Sequence, residues 1–316
     1  GPAADAATRE YYTELGYEEI PERGSASALT VPGAVDGWRL AHEKHGRLPW
    51  NRLFQDAIEY ARAGAAMTAA FTRWIALDAD VLEEDPVAAE TFLREGAAPD
   101  PGTLLRQPDL ADSLEAVADH GPREGFYEGP VAEAFCAGLG EESPLSTADF
   151  ADYTAAWVDP LSVEYRDYTA YSLPPNTQGI AALQILGLLE GFDVGSWGDG
   201  TADYYHHMAE AVKVAFADRD AWVTDPDAVD LPADRLLSAA YLDARRELIE
   251  PDSSLPAAVE PGSTPEGVRA QPQNPGGDTC YLSVVDDDGL AVSMIQSIYF
   301  DFGSGIVAGD TGIIPQ

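Results

Sequence analysis

With 316 residues, 45% of them hydrophobic, the chain is long enough to bury a sizeable core as one large domain or two smaller ones. Its 55 Asp+Glu against 18 Lys+Arg give a formal net charge of −37, a field that repels nucleic acid and anionic membrane surfaces alike. Two cysteines, Cys136 and Cys280, fit neither a disulfide framework nor a zinc spacing and are expected as small core residues; no run reaches the ~18 apolar residues of a membrane span.

The acidic residues are spread along the chain, as in Glu18-Glu19, Glu83-Glu84-Asp85, Glu141-Glu142 and Asp286-Asp287-Asp288, and Lys44 and Lys213 are the only lysines. The simplest account is a halophilic surface, whose self-repulsion molar salt would screen by shortening the Debye length to roughly 3 Å. Such a surface suits a salt-rich cytoplasm or a saline exterior, so the compartment stays open. The first residues lack the basic and apolar regions of a signal peptide.

In chain order, a helix is expected from Ala3 to Leu15, stopped by Gly16, then a small-residue loop over Gly24 to Ala28. Val31-Pro32-Gly33-Ala34-Val35 leads into a helix over Asp36 to His45, and a third helix is expected over Asn51 to Gly64. Shorter helices follow over Ala70 to Asp78 and Ala88 to Glu95. Pro108 opens another, in which Leu110, Leu114 and Val117 repeat at helical spacing up to Asp119, and Gly129-Pro130 opens the next. Strand character appears over Leu161 to Tyr171. Helices are expected over Ile180 to Leu189 and Ala202 to Ala221, and Ser253 to Asn274 reads as a Pro/Gly/Ser-rich linker. Two strands, Tyr281 to Val285 and Ala291 to Ile298, flank the hairpin turn Asp287-Asp288-Gly289. The chain begins inside an expected helix and stops just after a strand-like run, so a fragment of a longer protein is expected.

Several candidate sites are weak. His206, His207 and Glu210 share helical spacing, but no third ligand follows and no H-E-x-x-H exists, so a polar helix surface is the expected role. Asp286-Asp287-Asp288-Gly289 lacks the glutamate that a calcium loop needs and is expected as a solvated turn. Phosphate-binding, dinucleotide-binding and nucleophile-elbow motifs are absent. The strongest candidate is Gly276-Gly277-Asp278-Thr279-Cys280-Tyr281. A threonine that becomes an amino terminus brings its own base, because its α-amine, with a reference pKa of about 7.7–8.0, can take the proton of its own hydroxyl. Two glycines before it allow the strained backbone that cleavage requires.

Thr279, Ser283-Val284-Val285-Asp286, Asp288-Gly289, Ala291-Val292-Ser293 and Phe302-Gly303-Ser304-Gly305 through Thr311-Gly312-Ile313 resemble the γ-glutamyltranspeptidase family of N-terminal-nucleophile hydrolases. The resemblance continues upstream, in order, through Val31-Pro32-Gly33, Gly46-Arg47-Leu48-Pro49-Trp50, Asp109-Leu110, Phe126-Tyr127-Glu128-Gly129, Tyr165-Arg166, Pro174-Pro175 with Gly179, Glu210-Ala211 and Ala217-Asp218-Arg219. It implies an α+β fold, a piece of an αββα four-layer sandwich in which a helix-rich large-subunit region (1–278) precedes the nucleophile hairpin of the small subunit (279–316). The nucleophile strand would pair there with strands from both parts.

It further implies a precursor that cleaves itself between Asp278 and Thr279 into a large and a small subunit. Thr279 would be the catalytic nucleophile and Cys280 a minor alternative. Ser297 stands where the family has the second threonine that supports the nucleophile. Tyr299 stands at the substrate-binding position that holds an asparagine in γ-glutamyl enzymes, and Gln296-Ser297-Ile298-Tyr299 is closer to a branch that includes oxamate amidohydrolase-like proteins. The implied reaction is hydrolysis or transfer of the acyl group of a small-molecule amide, such as the γ-glutamyl amide glutathione, to water or an amine acceptor, without metal or organic cofactor. The alternatives are a related amidohydrolase acting on oxamate-like or other small acyl amides, and a non-catalytic family member that binds. The family's substrate-carboxylate arginine, paired serines and oxyanion glycines match positions outside these 316 residues, so this piece alone is expected to be inactive. Arg166 and Arg219 are expected in structural salt bridges.

Overall fold

The computed structural model of the protein describes residues 1–229, 231–262 and 279–316. These fall into two compact units, one of residues 1–156 and 279–316, the other of 157–229 and 231–262.

In the first unit, α1 (Arg9–Glu14) is shorter than the expected 3–15 helix. Thr8 caps it, accepting from Tyr11 N–H at 3.2 Å, while Ala3 is drawn into an isolated antiparallel bridge with Thr30. Next come α2 (Ala34–His45) and, where one long helix was expected, a 3₁₀ turn (Trp50–Leu53) followed by α3 (Gln55–Ala63). Strand β1 (Ala65–Ala66) precedes α4 (Ala69–Leu77), α5 (Ala79–Glu84) and α6 (Pro86–Phe92). Asp85 caps α6 by accepting Ala88 N–H at 2.7 Å, with Pro86 in the first turn, where a missing N–H costs nothing. Strand β2 (Leu104–Leu105) pairs with β1. The longer α7 (Pro108–Pro122) runs into a single π turn at Arg123–Tyr127, then α8 (Pro130–Leu139) and α9 (Thr147–Asp152) follow. α9 carries a capping box between Ser146 and Asp149. One apolar cluster of this unit includes Leu29, Val31, Tyr127, Phe135 and Phe150. A second gathers Met67, Ile75, Leu82, Phe92, Phe302 and Val307.

The second unit opens with a hairpin where one strand was expected. β3 (Leu161–Tyr165) pairs antiparallel with β4 (Tyr168–Ser172), and Arg166 at the turn has φ 55°. A non-glycine residue holds this left-handed conformation because Arg166 is fastened from outside. Its N–H donates to Glu190 Oε2 at 2.8 Å and its guanidinium to the carbonyls of Glu190 (3.1 Å) and Phe192 (2.6 Å). The hairpin lies on α10 (Gly179–Leu189), which is apolar on nearly every side, with Ile180, Ala181, Leu183, Leu188 and Leu189 all buried. Gly187 permits the close approach: a Cβ there would stand 2.5 Å from Leu242 and 3.3 Å from Val163. The remaining helices are α11 (Val194–Trp197), α12 (Ala202–Trp222), α13 (Ala233–Leu236) and α14 (Ala239–Arg246).

α12 corrects the expected polar surface. Its buried stripe is His207, Glu210 with Ala211, Val214 with Ala215, and Asp218, returning once per helical turn. Each polar member is satisfied. His207 stacks on Trp197 at 4.2 Å, and its Nδ1 meets the Asp203 carbonyl at 2.8 Å. Glu210 pairs with Lys213 at 2.8 Å and accepts Leu255 N–H at 2.8 Å, while Lys213 donates to the Leu255 carbonyl. Burial alone would raise the Glu210 pKa, but the Lys213 and Leu255 hydrogen bonds outweigh it and hold the carboxyl below its ordinary value. Asp218 accepts from Gln184 (3.1 Å), Tyr241 (2.8 Å) and Gly262 N–H (2.8 Å) and pairs with Arg245 at 3.1 Å. Residues 255–262 of the expected linker are thus tied to α12 at both ends; residues 263–274 lie outside the described residues.

The chain returns to the first unit with β5 (Cys280–Val285) and β6 (Ala291–Gln296), an antiparallel hairpin close to the expected one. Gly289 takes φ 84° at the turn, and Asp286 Oδ1 accepts the N–H groups of Asp288 (3.0 Å) and Leu290 (2.8 Å). Among the described residues every sheet is two-stranded, and β5 pairs with β6 alone. The expected pairing of the nucleophile strand with strands from both parts is therefore not seen, and every residue of β5 is exposed. Cys280 corrects another expectation, being exposed; Cys136 is half-buried, and burial pushes its thiol up to about 11. Among the described residues, no helix is long and apolar enough to cross a membrane.

Candidate active site

The hairpin register sets the site. Cys280 faces Gln296 and Val285 faces Ala291, so one step beyond the ladder Thr279 stands opposite Ser297. The two hydroxyls meet there, Thr279 Oγ1 donating to Ser297 Oγ at 3.1 Å. Ser297 Oγ also accepts the Tyr299 N–H at 3.0 Å. A hydroxyl has two lone pairs, enough for Ser297 Oγ to accept from both Thr279 and Tyr299. Both residues are exposed.

Tyr299 is not a strand residue packed in a sheet. β6 ends at Gln296, and Tyr299 has φ 70° and is 37% exposed. That left-handed turn delivers its N–H to Ser297 and aims the ring toward Phe300, with centroids 4.7 Å apart. Phe302, φ 55°, drops its ring into the apolar cluster against Phe92 at 5.2 Å and Phe71 at 6.0 Å. Gly303, φ 51°, follows where a Cβ would lie 2.1 Å from the Pro315 carbonyl oxygen, so no other residue fits. On α2, Trp38 Nε1 donates to Gln296 Oε1 at 3.1 Å, and at the hairpin tip Arg47 reaches Asp288 at 3.1 Å.

Thr279, Cys280 and Ser297 open on a cleft of about 710 Å³ walled by Phe71, Trp74, Leu105, Phe300 and Phe302, with Gln107, Gln296 and Asp301 as polar lining. The other unit has a separate cleft of about 680 Å³ between Tyr241, Leu248 and the 255–262 segment, which none of the predicted site residues line.

The structure thus brings together Thr279, Ser297 and Tyr299. Asp278, the other side of the expected cleavage point, lies outside the described residues, as do Gly276 and Gly277. His206 and Glu210 serve packing, His206 through Nε2 against the Glu250 carbonyl at 2.8 Å, and among the described residues no group of three or more His, Cys, Asp or Glu is placed to hold a metal. The acidic turn is shaped by Asp286 itself. Arg166 and Arg219 sit in ion pairs with Glu190 and Asp220. Trp38, Phe71, Trp74 and Arg23, whose guanidinium meets the turn after Ser297, were not legible beforehand. They lie some two hundred residues or more from the hairpin in sequence, and no local motif marks them.

The family model for γ-glutamyltranspeptidase matches residues 1–316. The glutathione hydrolase-like YwrD proenzyme of Bacillus subtilis is 39% identical over 317 residues, covering 100% of this chain and 57% of that protein. The oxamate amidohydrolase proenzyme of Klebsiella pneumoniae is 38% identical over 322 residues, covering 100% and 58%. Among solved structures, cephalosporin acylase from Bacillus halodurans superposes with a TM-score of 0.85 at 34% identity, covering 99% of this chain and 56% of that one. The chain spans little more than half the length of these relatives.

Proposed function

Since the chain belongs to the γ-glutamyltranspeptidase family, we propose that it is the nucleophile-bearing part of a self-cleaving amidohydrolase or acyltransferase, with Thr279 as nucleophile and Ser297 as its support. The observation that carries this is the 3.1 Å hydrogen bond from Thr279 Oγ1 to Ser297 Oγ at the mouth of a cleft. In the precursor, Thr279 Oγ attacks the Asp278 carbonyl carbon, the Asp278–Thr279 amide shifts to an ester, and water cleaves that ester. The products are an Asp278 carboxylate that ends one chain and a free Thr279 amine that begins the other. In the mature enzyme that amine takes the hydroxyl proton, and Oγ attacks a substrate amide. The substrate's amine leaves with the proton, and water or an acceptor amine resolves the acyl ester. Neither step calls for a metal or organic cofactor.

Mass spectrometry of the full-length product tests this. Two chains dividing before Thr279, with Thr279→Ala left intact, are expected; an intact wild-type chain would sink the self-processing claim and favour a non-catalytic binding role. The substrate class proposed is small acyl amides, with γ-glutamyl amides such as glutathione first. Activity on oxamate-like amides is favoured instead by Tyr299, whose ring replaces the compact asparagine of γ-glutamyl enzymes, and by the Klebsiella relative. Rates on γ-glutamyl anilides against oxamate-like amides decide between the two. The net charge of −37 supports a salt-requiring surface, so the unfolding midpoint should rise between dilute buffer and molar salt.

A further inference from the structure

Ser297 can orient Thr279 only while the turn after it keeps its shape, and that turn is costly. Tyr299 and Phe302 both sit at positive φ, 70° and 55°, a region that disfavours residues carrying a Cβ. Phe302 is anchored by burial of its ring, but ring burial does not set the backbone three residues earlier. A second set of contacts comes from the loop between α1 and α2. Arg23 Nη1 donates to the carbonyl oxygens of Asp301 at 2.5 Å and Gly303 at 3.0 Å. The guanidinium carbon lies 4.7 Å from the centre of the Phe300 ring. Nη2 stands 3.7 Å from Asp78 Oδ2, at the junction of α4 and α5, and the neighbouring Gly24 N–H donates to the Ser304 carbonyl at 2.8 Å. One planar cation therefore faces two main-chain acceptors, one ring and one carboxylate, a combination that the guanidinium fork satisfies and an ammonium does not.

We propose that Arg23 is a positioning residue of the Thr279 site: by gripping residues 300–303 it holds the left-handed turn at Tyr299, whose N–H fixes Ser297 Oγ against the Thr279 hydroxyl. This rests on Thr279 as nucleophile. The chain of contacts is Arg23 to the Asp301 and Gly303 carbonyls, the turn to the Tyr299 N–H, that N–H to Ser297 Oγ at 3.0 Å, and Ser297 Oγ to Thr279 Oγ1 at 3.1 Å. Arg23 touches neither hydroxyl. Its side chain is 23% exposed, so water can take over the two carbonyls when it is removed, and the core packing of Phe302 stays. The effect expected is a loosened turn rather than an unfolded unit, and misplacement of a reacting group by about 1 Å can cost on the order of a hundredfold in rate.

The test uses the full-length precursor as wild type, Arg23→Ala and Arg23→Lys, with two readouts: appearance of the chain that starts at Thr279, by mass spectrometry, and hydrogen exchange of the Tyr299 amide. Arg23→Ala should slow self-cleavage at least about tenfold and speed Tyr299 exchange by a similar factor, with exchange in α7 and α8 unchanged. Arg23→Lys should fall between, at about threefold on each, because the ammonium keeps its charge near Asp78 but has no plane to lay on Phe300. Unchanged Tyr299 exchange in Arg23→Ala overturns the inference whether or not the wild type cleaves. A wild type that stays intact while Tyr299 exchange rises in the variant sinks the nucleophile assignment and leaves the turn-holding role standing. Should Arg23→Ala lose protection throughout its unit, Arg23→Lys decides, and identity with wild type in both readouts overturns the proposal.

Discussion

The two longer hairpins are built alike and held differently. β3–β4 lies on the apolar helix α10, with Val163 buried beside Leu183, Leu188 and Leu242. β5–β6, which carries Thr279 at its start and Ser297 just past its end, has every residue of β5 exposed and all of β6 exposed but the half-buried Met294. What fixes it comes at its ends: Asp286 at the turn, Trp38 on Gln296, and Arg23 with Phe302 beyond Ser297. In both hairpins an arginine accompanies left-handed non-glycine backbone, Arg166 at its own position and Arg23 at Tyr299. Burial holds a hairpin against sliding by tens of weak contacts, whereas a few directed bonds hold it by geometry and leave its faces accessible.

Removing burial should give the largest effect. Leu183→Ala should destabilise the 157–262 unit by about 2–5 kcal/mol, seen as faster exchange of α10 amides, and leave β5–β6 exchange unchanged. An equal response in both hairpins would break the contrast. Glu210→Gln should cost the same unit roughly 1.5–3 kcal/mol near neutral pH, since it removes a charge-assisted pair with Lys213. The Glu210 pKa is lowered on folding, so its contribution is complete above the ordinary glutamate range and is lost as pH falls through the lowered value. The difference between wild type and Glu210→Gln should therefore be flat at neutral pH and shrink below about pH 4. A difference that grows on acidification would reverse the sign assigned to this pair.

Smaller effects belong to the accessible hairpin. Asp286→Ala removes the acceptor for two turn amides and should loosen β5–β6 by about 1 kcal/mol, read as faster exchange of the Leu290 amide. Val284→Ala, on an exposed strand position, should change stability by no more than about 0.5 kcal/mol. A loss near that of Leu183→Ala would show that β5 is covered in the full-length protein.

Elements with local punctuation were legible. α2, α4, α8, α10, α12 and the β5–β6 turn lie within a few residues of where caps, prolines, glycines and spacing placed them. α1 was drawn too long because Ala3 is taken by a bridge to Thr30, a pairing no local pattern announces. The β3–β4 turn was missed because Arg166 occupies a position that glycine or asparagine would have advertised, and distant carbonyls supply the compensation. The surface expected for His207 and Glu210 fails because composition cannot tell a solvated polar stripe from a buried one whose partners arrive from Trp197, Lys213 and Leu255.

The sequence by itself determined which residue types stand at the site and in what register. A threonine and a serine at equal distance from an Asp-Asp-Gly turn must face one another when the flanking runs pair, since strand alternation leaves no other choice. Only the tertiary structure decided how the second hydroxyl is aimed. The Tyr299 N–H reaches Ser297 from a left-handed turn that Arg23 maintains, and a conformation disfavoured locally persists only where contacts distant in sequence compensate its cost.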